Sequence, residues 1–533
     1  MRRLAALVVL CALGAAPAHA SRGFAPPPLP GPRALQAMSR HGAVLVELDG
    51  EAGAFALRAA GGTMISSALR IWKVPGPAAA LLVPRLEAAG AVRVVEPDRA
   101  HLHPFARLDQ TDPLVPTEWW IPVVGADTVV APGPGVPVTM IDSGLDVTHP
   151  EFANRPDTSL LNQQTIVTHD DSHGTATSSV VGAPVNGVGL VGVYPQAVLR
   201  MFDASPGAEI SHAAVIQGIL QASLSGRGVI NLSLGGPEPD FLEEQAIDLA
   251  FGRGAIVVAA AGNEFLKGNP LSYPASDPHV LTVAATTPDA KPANFSSASA
   301  AVDLSAPGVD IPVAVPLSVD PTGYATEDGT SFSAPLVSGA TAWVWTVRPT
   351  LEKTQLYDLM RWSAKDIWDN GWDKDTGFGL LDIPAALTEA PPPVDPQEPN
   401  DDIDHVKAGG LFVLPKPLVK GTFTARLDLT DDPEDVYRIS VPANSSVTLT
   451  MKPDDNVDLE LWGARTVTVG ETGAARRRDL LGFSSKPAKQ ADVVRWTNKG
   501  KSAVVAYADV YFPSSAKALD ASYTLAVKTA RAR

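Results

Sequence analysis

At 533 residues, 45% hydrophobic and 19% charged, the chain has the composition of a soluble globular protein and the length for more than one domain. A formal net charge of −16 without any long basic run argues against a nucleic-acid partner, which needs clustered cations to displace counterions. The single cysteine, Cys11, falls in the first twenty residues, so once that segment is removed no disulfide, thiol nucleophile or thiolate metal site is possible.

The chain opens with MRRLAALVVLCALGAAPAHA. Arg2 and Arg3 precede an apolar stretch, Leu4 to Ala16, and Ala18-His19-Ala20 has the small-x-small form of a cleavage site, which predicts a signal peptide over 1–20. The stretch is too short to span a bilayer. The mature protein is therefore expected to be secreted, crossing any periplasm in transit, with no membrane span. Residues 21–40 are rich in Pro and Gly and read as a flexible leader. From Gly42 to about Pro104 the pattern predicts a small α+β unit, with strands at Val44–Leu48 and Val92–Asp98 and a short helix from Pro84 to Ala89 stopped by Gly90.

Between Leu108 and Leu387 unbroken apolar runs alternate with helical segments. VTMI (138–141), VLRMF (198–202), VINLSL (229–234), AIVVAAA (255–261) and VLTVAA (280–285) read as strands covered on both faces, the mark of a parallel sheet between helix layers. SHAAVIQGILQASL (211–224) and DFLEEQAIDLAFG (240–252) read as helices between them, the second opening on an Asp240/Glu243 capping box. The region is an α/β domain with a mainly parallel sheet. APPPVDPQEPNDD (390–402) then reads as a linker stiffened by prolines and solvated by its acids. Beyond it VYRISV, SVTLTM, VDLELW, AVVAYADVYF and SYTLAV alternate apolar and polar residues between turns, which predicts an antiparallel β-sandwich.

Four stretches of the middle region carry chemistry. Open parallel sheets collect active groups at the carboxyl ends of their strands. Asp142 stands there, after VTMI; taken alone it reads as a turn or N-cap aspartate. His173, in SHGTATSS, stands at a predicted helix start, where the helix dipole favours the neutral imidazole that a general base requires, or simply caps that helix. Asn263 closes AAAGNE after a strand, as an amide donor to an oxyanion or as a turn residue. Ser331, in GTSFSAP, opens the helix SAPLVSGATAWVW, as a nucleophile or a cap. A serine needs a base, the base an orienting carboxylate, and the oxyanion a donor. One domain supplies a candidate for each role, in the order Asp, His, Ser.

In IDSGLD, HGT, AAAGNE and GTSFSAP, together with NLSLGG (Asn231–Gly236) and YPAS (Tyr273–Ser276), the middle domain resembles the subtilisin-like serine proteases, the subtilases. The resemblance implies a three-layer α/β domain with a mainly parallel sheet, preceded by a small α+β propeptide and followed by the β-sandwich. It implies an endopeptidase in which Ser331 attacks the scissile carbonyl, His173 carries its proton, Asp142 holds the imidazole, and Asn263 with the Ser331 N–H binds the oxyanion. Ser233, Leu234 and Gly235 would offer a strand edge to a peptide. Ala260, Ala261 and Gly262 would wall the pocket for the residue before the cut, with Glu264 at its rim biasing it toward basic or polar side chains. Ser172 replaces the glycine the family often carries before its histidine, and Ala176-Thr177-Ser178 replaces its usual valine-glycine pattern; both departures bear on local substrate fit.

The same resemblance places Glu151, after His149-Pro150, and Asn186, in PVNGVG, at a structural calcium site; the alternatives are a solvated acid and a turn asparagine. No cofactor is implied for the chemistry. DDPED (431–435) reads as a solvated loop rather than a further ion site. Gly187-Val-Gly189-Leu-Val-Gly192 spells a dinucleotide fingerprint, but a strand follows it where a helix is required. With VEPD (Val95–Asp98), residues 21–107 resemble a subtilase propeptide, an intramolecular inhibitor released by self-cleavage between His103 and Thr111. With EPNDD and DVYRISVP, residues 403–533 resemble a bacterial pre-peptidase C-terminal domain. The expected organisation is thus signal 1–20, propeptide 21–107, catalytic domain 108–389, linker 390–402 and sandwich 403–533, acting as a monomer on protein or peptide substrates.

Overall fold

The computed structural model describes residues 29–31, 33–36, 43–50, 53–66, 70–97, 112–164, 172–205, 210–410 and 417–532. The expected signal, Cys11 and the expected cleavage region lie outside them. The chain divides into two compact units, 1–105 and 106–533.

The first unit carries four strands, β1 (Val44–Leu48), β2 (Thr63–Ser66), β3 (Ile71–Val74) and β4 (Val92–Pro97), which form an antiparallel sheet in the order β2-β3-β1-β4. Along β1 buried and half-buried residues alternate, as they do in a strand with one face on a core. The helix expected to begin at Pro84 begins at Gly76 and runs to Ala88. Pro77 lies in its first turn, where the missing N–H costs nothing, and the Ala- and Leu-rich run that follows propagates the helix through Pro84.

The second unit opens with β5 (Pro137–Asp142), β6 (Thr158–Leu160), β7 (Val198–Asp203), β8 (Gly228–Leu232), β9 (Ala255–Ala260), β10 (Val280–Thr286) and β11 (Leu304–Pro307). They form a seven-stranded parallel sheet in the order β11-β10-β9-β8-β5-β7-β6. Every residue of β8, β9 and β10 is buried, because helices cover both faces. One face carries the helices His212–Ser223 and Phe241–Gly252. The other carries His173–Gly182 and the long helix Thr330–Val347, which buries Trp343 and Trp345. An antiparallel pair, β12 (Ile311–Ala314) and β13 (Tyr324–Glu327), leads into that long helix. Asp240 caps its helix by accepting from the N–H groups of Leu242 and Glu243. The reciprocal half of the expected capping box is replaced, since Glu243 Oε2 accepts instead from His212 Nδ1 at 3.0 Å.

The C-terminal part contains β14 (Gly421–Asp428), β15 (Glu434–Val441), β16 (Ser445–Pro453), β17 (Asp458–Gly463), β18 (Leu480–Ser484), β19 (Asp492–Asn498), β20 (Val504–Tyr511) and β21 (Asp520–Arg531). They form two antiparallel sheets, β14-β21-β16-β19 and β15-β20-β17-β18. Their inner faces share one core, with Leu449, Leu461, Ala508 and Leu525 fully buried in it.

The expected solvated linker and solvated DDPED loop are solvated only in part: Ala390, Pro391, Pro393 and Val394 are exposed, whereas Asp395, Asn400, Asp431 and Asp435 are buried. Arg361, at 2% exposure, projects from the helix Lys353–Trp362. Its Nη1 donates to Asp303, Asp428 and Asp431 at 3.1, 2.9 and 2.7 Å, and its Nη2 to Asp358 at 3.0 Å. Asp428 and Asp431 belong to the sandwich, so this one cation ties the α/β and sandwich parts of the unit together. The acids of the 395–401 segment and of DDPED sit beside this junction, where each charge needs a partner that water no longer supplies.

Candidate active site

The sheet determines the site's position. Asp142 is the last residue of β5, and Ser233 and Asn263 follow the carboxyl ends of β8 and β9. His173 is the first residue of its helix and Ser331 the second residue of the helix Thr330–Val347. Two buried contacts carry the two helices to this edge. Gly174 lies so close to the end of β5 that a Cβ there would run into the Gly144 carbonyl, and its N–H donates to Ser143 Oγ at 2.9 Å. Ser338, on the long helix, donates to Asn231 Oδ1 at 2.8 Å; Asn231 Nδ2 donates to Ser233 Oγ at 2.9 Å; and Ser233 Oγ donates to Ser331 O at 2.8 Å. This relay pins the start of the helix to the end of β8.

Asp142, 1% exposed, accepts at Oδ1 from the Ser143 N–H (2.7 Å) and His173 Nδ1 (2.8 Å), and at Oδ2 from Thr177 Oγ1 (2.9 Å). Burial by itself lowers the His173 pKa, but the charge and hydrogen bond of Asp142, with a contribution from Glu327, outweigh it, and the net shift is upward. The helix start therefore does not decide the protonation of this imidazole; the carboxylate 2.8 Å away does. The ring packs against Phe332, centroids 5.9 Å apart.

Asn263 Oδ1 accepts twice from Thr330, from its N–H at 2.9 Å and its hydroxyl at 3.0 Å. That fixes the amide and leaves Nδ2 as its donor end. Ser331 Oγ donates to Ser233 O at 3.2 Å. Ser233 is thus buried and structural in its side chain, whereas Leu234 and Gly235 are half-buried and exposed and make no backbone hydrogen bond among the described residues. Gly236 pairs with Tyr273 in both directions, at 2.9 and 2.8 Å, which closes the far end of that edge. Ala260 and Ala261 are buried. Glu264 is half-buried, and its Oε2 accepts from the Asn263 N–H at 2.7 Å. Sequence reasoning missed Thr177 and Thr330 as partners of these groups. The signal available for Thr330 was only its adjacency to Ser331, and for Thr177 its spacing of one helical turn from His173.

Comparison with known proteins then assigns the architecture. Residues 133–379 match the model of the subtilase family. Subtilisin DY of Bacillus licheniformis is 33% identical over 274 residues, 50% of this chain and 97% of that protein. The chain belongs to the subtilase family. Subtilisin E of Bacillus subtilis is 34% identical over 260 residues, 48% of this chain and 66% of that protein. Among solved structures, fervidolysin of Fervidobacterium pennivorans, described as a keratinolytic enzyme related to subtilisin, aligns with a TM-score of 0.48 at 20% identity, covering 85% of this chain and 84% of that one. This subtilase is a subtilisin-like serine endopeptidase.

Glu151 and Asn186 do come together in the subtilase, but as each other's partners. Glu151 Oε2 accepts from Asn186 Nδ2 at 3.3 Å, its Oε1 from the Leu190 N–H at 2.9 Å and the Tyr324 hydroxyl at 3.0 Å, and Asn186 Oδ1 from the Val188 N–H at 2.8 Å. Gly189 makes this possible, because a Cβ there would collide with Glu151 Oε1. Burial raises Glu151 to about 7. Calcium needs a shell of free oxygens; here the oxygens already meet N–H and O–H donors, so these two residues do not fit the ion. Glu151 is 1% exposed, so it is not a solvated acid either.

Proposed function

We propose that this subtilase is a secreted, autoprocessed endopeptidase that cleaves protein and peptide substrates through an acyl-enzyme, with Ser331 as nucleophile, His173 as general base and then general acid, and Asp142 holding the imidazole tautomer and stabilising the imidazolium. The observation that carries this reading is the meeting of Asp142, His173, Asn263 and Ser331 at one sheet edge, with the imidazole already bonded to the carboxylate at 2.8 Å. Attack requires the Ser331 hydroxyl to exchange its present acceptor, Ser233 O, for His173 Nε2. That is a local rearrangement of the kind substrate binding drives in sites whose hydrogen bonds are loose before it. Asn263 Nδ2 and the Ser331 N–H then donate to the oxyanion. A peptide pairs with the open backbone of Leu234 and Gly235, and Ala260 to Gly262 wall the pocket for the residue before the cut. Glu264, half-buried and bonded through Oε2 to the Asn263 N–H, keeps its negative charge near this pocket and biases it toward basic or polar side chains. Residues 21–107 are read as the propeptide, and 403–533 as the sandwich that remains bound through Arg361. No described helix is long and apolar enough to cross a membrane.

A fluorophosphonate probe is expected to label Ser331 in the mature protein; absence of label on an intact, folded sample would overturn the assignment. Asn263→Ala is expected to lower kcat by roughly 10²- to 10³-fold with KM little changed, a magnitude taken from subtilisin itself. Steady-state kinetics on a peptide substrate checks it.

A structural calcium ion is better placed elsewhere than at Glu151. Asp395 Oδ1, both oxygens of Glu398, Asn400 Oδ1 and Asp432 Oδ1 are buried with no hydrogen-bond donor among the described residues. Ligand atoms of Asp395, Glu398 and Asp435 lie within 4.8 Å of one another, but Asp435 already accepts from Asn400, Tyr437 and Tyr523, so the free oxygens are those of Asp395, Glu398, Asn400 and Asp432. A cavity of about 30 Å³ beside Asp395, Glu398 and Asp432 is lined also by Arg361 and Arg426. Hard oxygen ligands of this kind suit calcium; Arg426 and Lys353 act on Asp395 and Glu398 but do not offset their burial, and the ion would add positive charge there. Burial otherwise raises Asp395, Glu398 and Asp432 well above the carboxylate range, and Asp435 to about 7. Native carboxyls with raised pKa hold protons that the unfolded chain has released. Without the ion, stability therefore falls as pH rises from the ordinary 3.8 through about 7. Chelation is expected to lower Tm by several degrees at pH 8 and much less at pH 5, and added calcium to restore it; scanning calorimetry of Ser331→Ala protein, which cannot digest itself, gives the answer.

A further inference from the structure

The hydrogen bonds around Asp142 single out a residue at a position where this chain departs from the family's usual pattern. Its Oδ1 is served by the Ser143 N–H and by His173 Nδ1. Among the described residues Oδ2 has one donor, the hydroxyl of Thr177 at 2.9 Å. Thr177 is 0% exposed and Asp142 1%, so water cannot replace that bond. The hydroxyl has a single proton and two acceptors in reach, Asp142 Oδ2 and the Gly174 carbonyl at 3.3 Å. The shorter contact to a carboxylate is the stronger, since charge-assisted bonds are about twice as strong as neutral ones. Position 177 is one helical turn beyond His173 in the same helix. The element that carries the imidazole therefore also grips the far oxygen of its partner. The carboxylate is held in its plane from both ends, and the imidazole, bonded to Oδ1, is held with it.

We infer that Thr177 is a positioning residue for the Asp142–His173 pair, orienting the carboxylate and tempering its charge through Oδ2. This rests on the triad reading above. Among the described residues, the charged groups around the pair are Asp203, in register with Asp142 on the neighbouring strand, and Glu327, whose charge also acts on His173. Neither is altered by a change at position 177. Loss of the hydroxyl leaves more of the Asp142 charge facing the ring. It also leaves a buried oxygen without a donor, so the carboxylate is free to tilt.

The test compares Thr177→Val, which keeps the shape and removes the donor, with Thr177→Ser, which keeps the donor, each normalised to the number of sites a fluorophosphonate labels. Thr177→Val is expected to lower kcat roughly tenfold with KM within about twofold. It should move the acid limb of kcat/KM to higher pH and shift the low-field proton resonance between His173 Nδ1 and Asp142. Thr177→Ser should stay near wild type in all three. Equal losses in both variants would mean that side-chain packing at position 177, not the hydroxyl as a donor, sets the effect, and would overturn the inference. So would a Thr177→Val enzyme whose pH limb and resonance do not move, whatever its kcat. Asp142→Asn, run in parallel, separates the levels: if it too keeps wild-type turnover the triad reading falls, whereas if it is crippled and Thr177→Val is unaffected only the role of Thr177 falls.

Discussion

Ser331→Ala is expected to abolish turnover, with kcat falling by about 10⁶-fold, the size of loss that subtilisin itself shows when its nucleophile is removed. The residual rate would come from Asn263 and from substrate binding, both of which survive the change. The variant should keep its fold: Ser331 Oγ makes one hydrogen bond, to Ser233 O, while the relay through Ser338, Asn231 and Ser233 ends on the Ser331 carbonyl, which alanine retains. The same variant tests autoprocessing. If the active site releases residues 21–107, the purified Ser331→Ala protein keeps them. Intact mass would reveal a propeptide still lost in the absence of other proteases, and self-cleavage would then be wrong.

Asp142→Asn is expected to cost roughly 10⁴-fold in kcat, again by the measure of known serine proteases, and to change the pH profile in a direction that the structure dictates. In the native enzyme Asp142 raises the His173 pKa above its ordinary 6.5 against the opposing effect of burial. The base must be neutral to accept the Ser331 proton, so the acid limb of kcat/KM should lie above 6.5. An amide at position 142 removes the charge and leaves burial acting, opposed by Glu327. The limb of whatever activity remains should then move to lower pH. Because an asparagine also offers the wrong hydrogen-bonding partner to Nδ1, the loss should fall on kcat far more than on KM. A pH–rate series on active-site-titrated enzyme decides it, and an acid limb unchanged in Asp142→Asn would show that His173 does not owe its protonation to this carboxylate.

The junction between the catalytic and sandwich parts was the least legible stretch of the chain. Asp395, Glu398, Asp401 and the DDPED loop look in sequence like ordinary solvated acids beside prolines, because a local composition rich in charge normally means water. Their burial follows from long-range docking: Arg361 enters from a helix some seventy residues away from Asp428 and Asp431 and draws them inward. The Glu151–Asn186 pair misleads differently. The motif brings both residues to one place, yet whether an oxygen faces an ion or an N–H depends on loop backbone directions that residue types do not encode. In the helix Gly76–Ala88, Pro84 looks like a boundary in sequence, but the alanines and leucines around it outweigh one missing donor.

What the amino-acid sequence determined by itself is the chemistry available and the places where it stands. Unbroken apolar strands required a covered parallel sheet, such a sheet gathers residues at its carboxyl edge, and Asp142, His173, Asn263 and Ser331 each follow a strand or open a helix there. What only the tertiary structure decided is which atoms meet: that Asp142 Oδ2 belongs to Thr177, that Asn263 is locked by Thr330, and that Glu264 turns back onto its own loop. Periodicity and motif spacing fix a residue to an element and a face. Hydrogen bonds between groups far apart in the chain depend on ångström-scale packing of whole elements, which no local pattern carries.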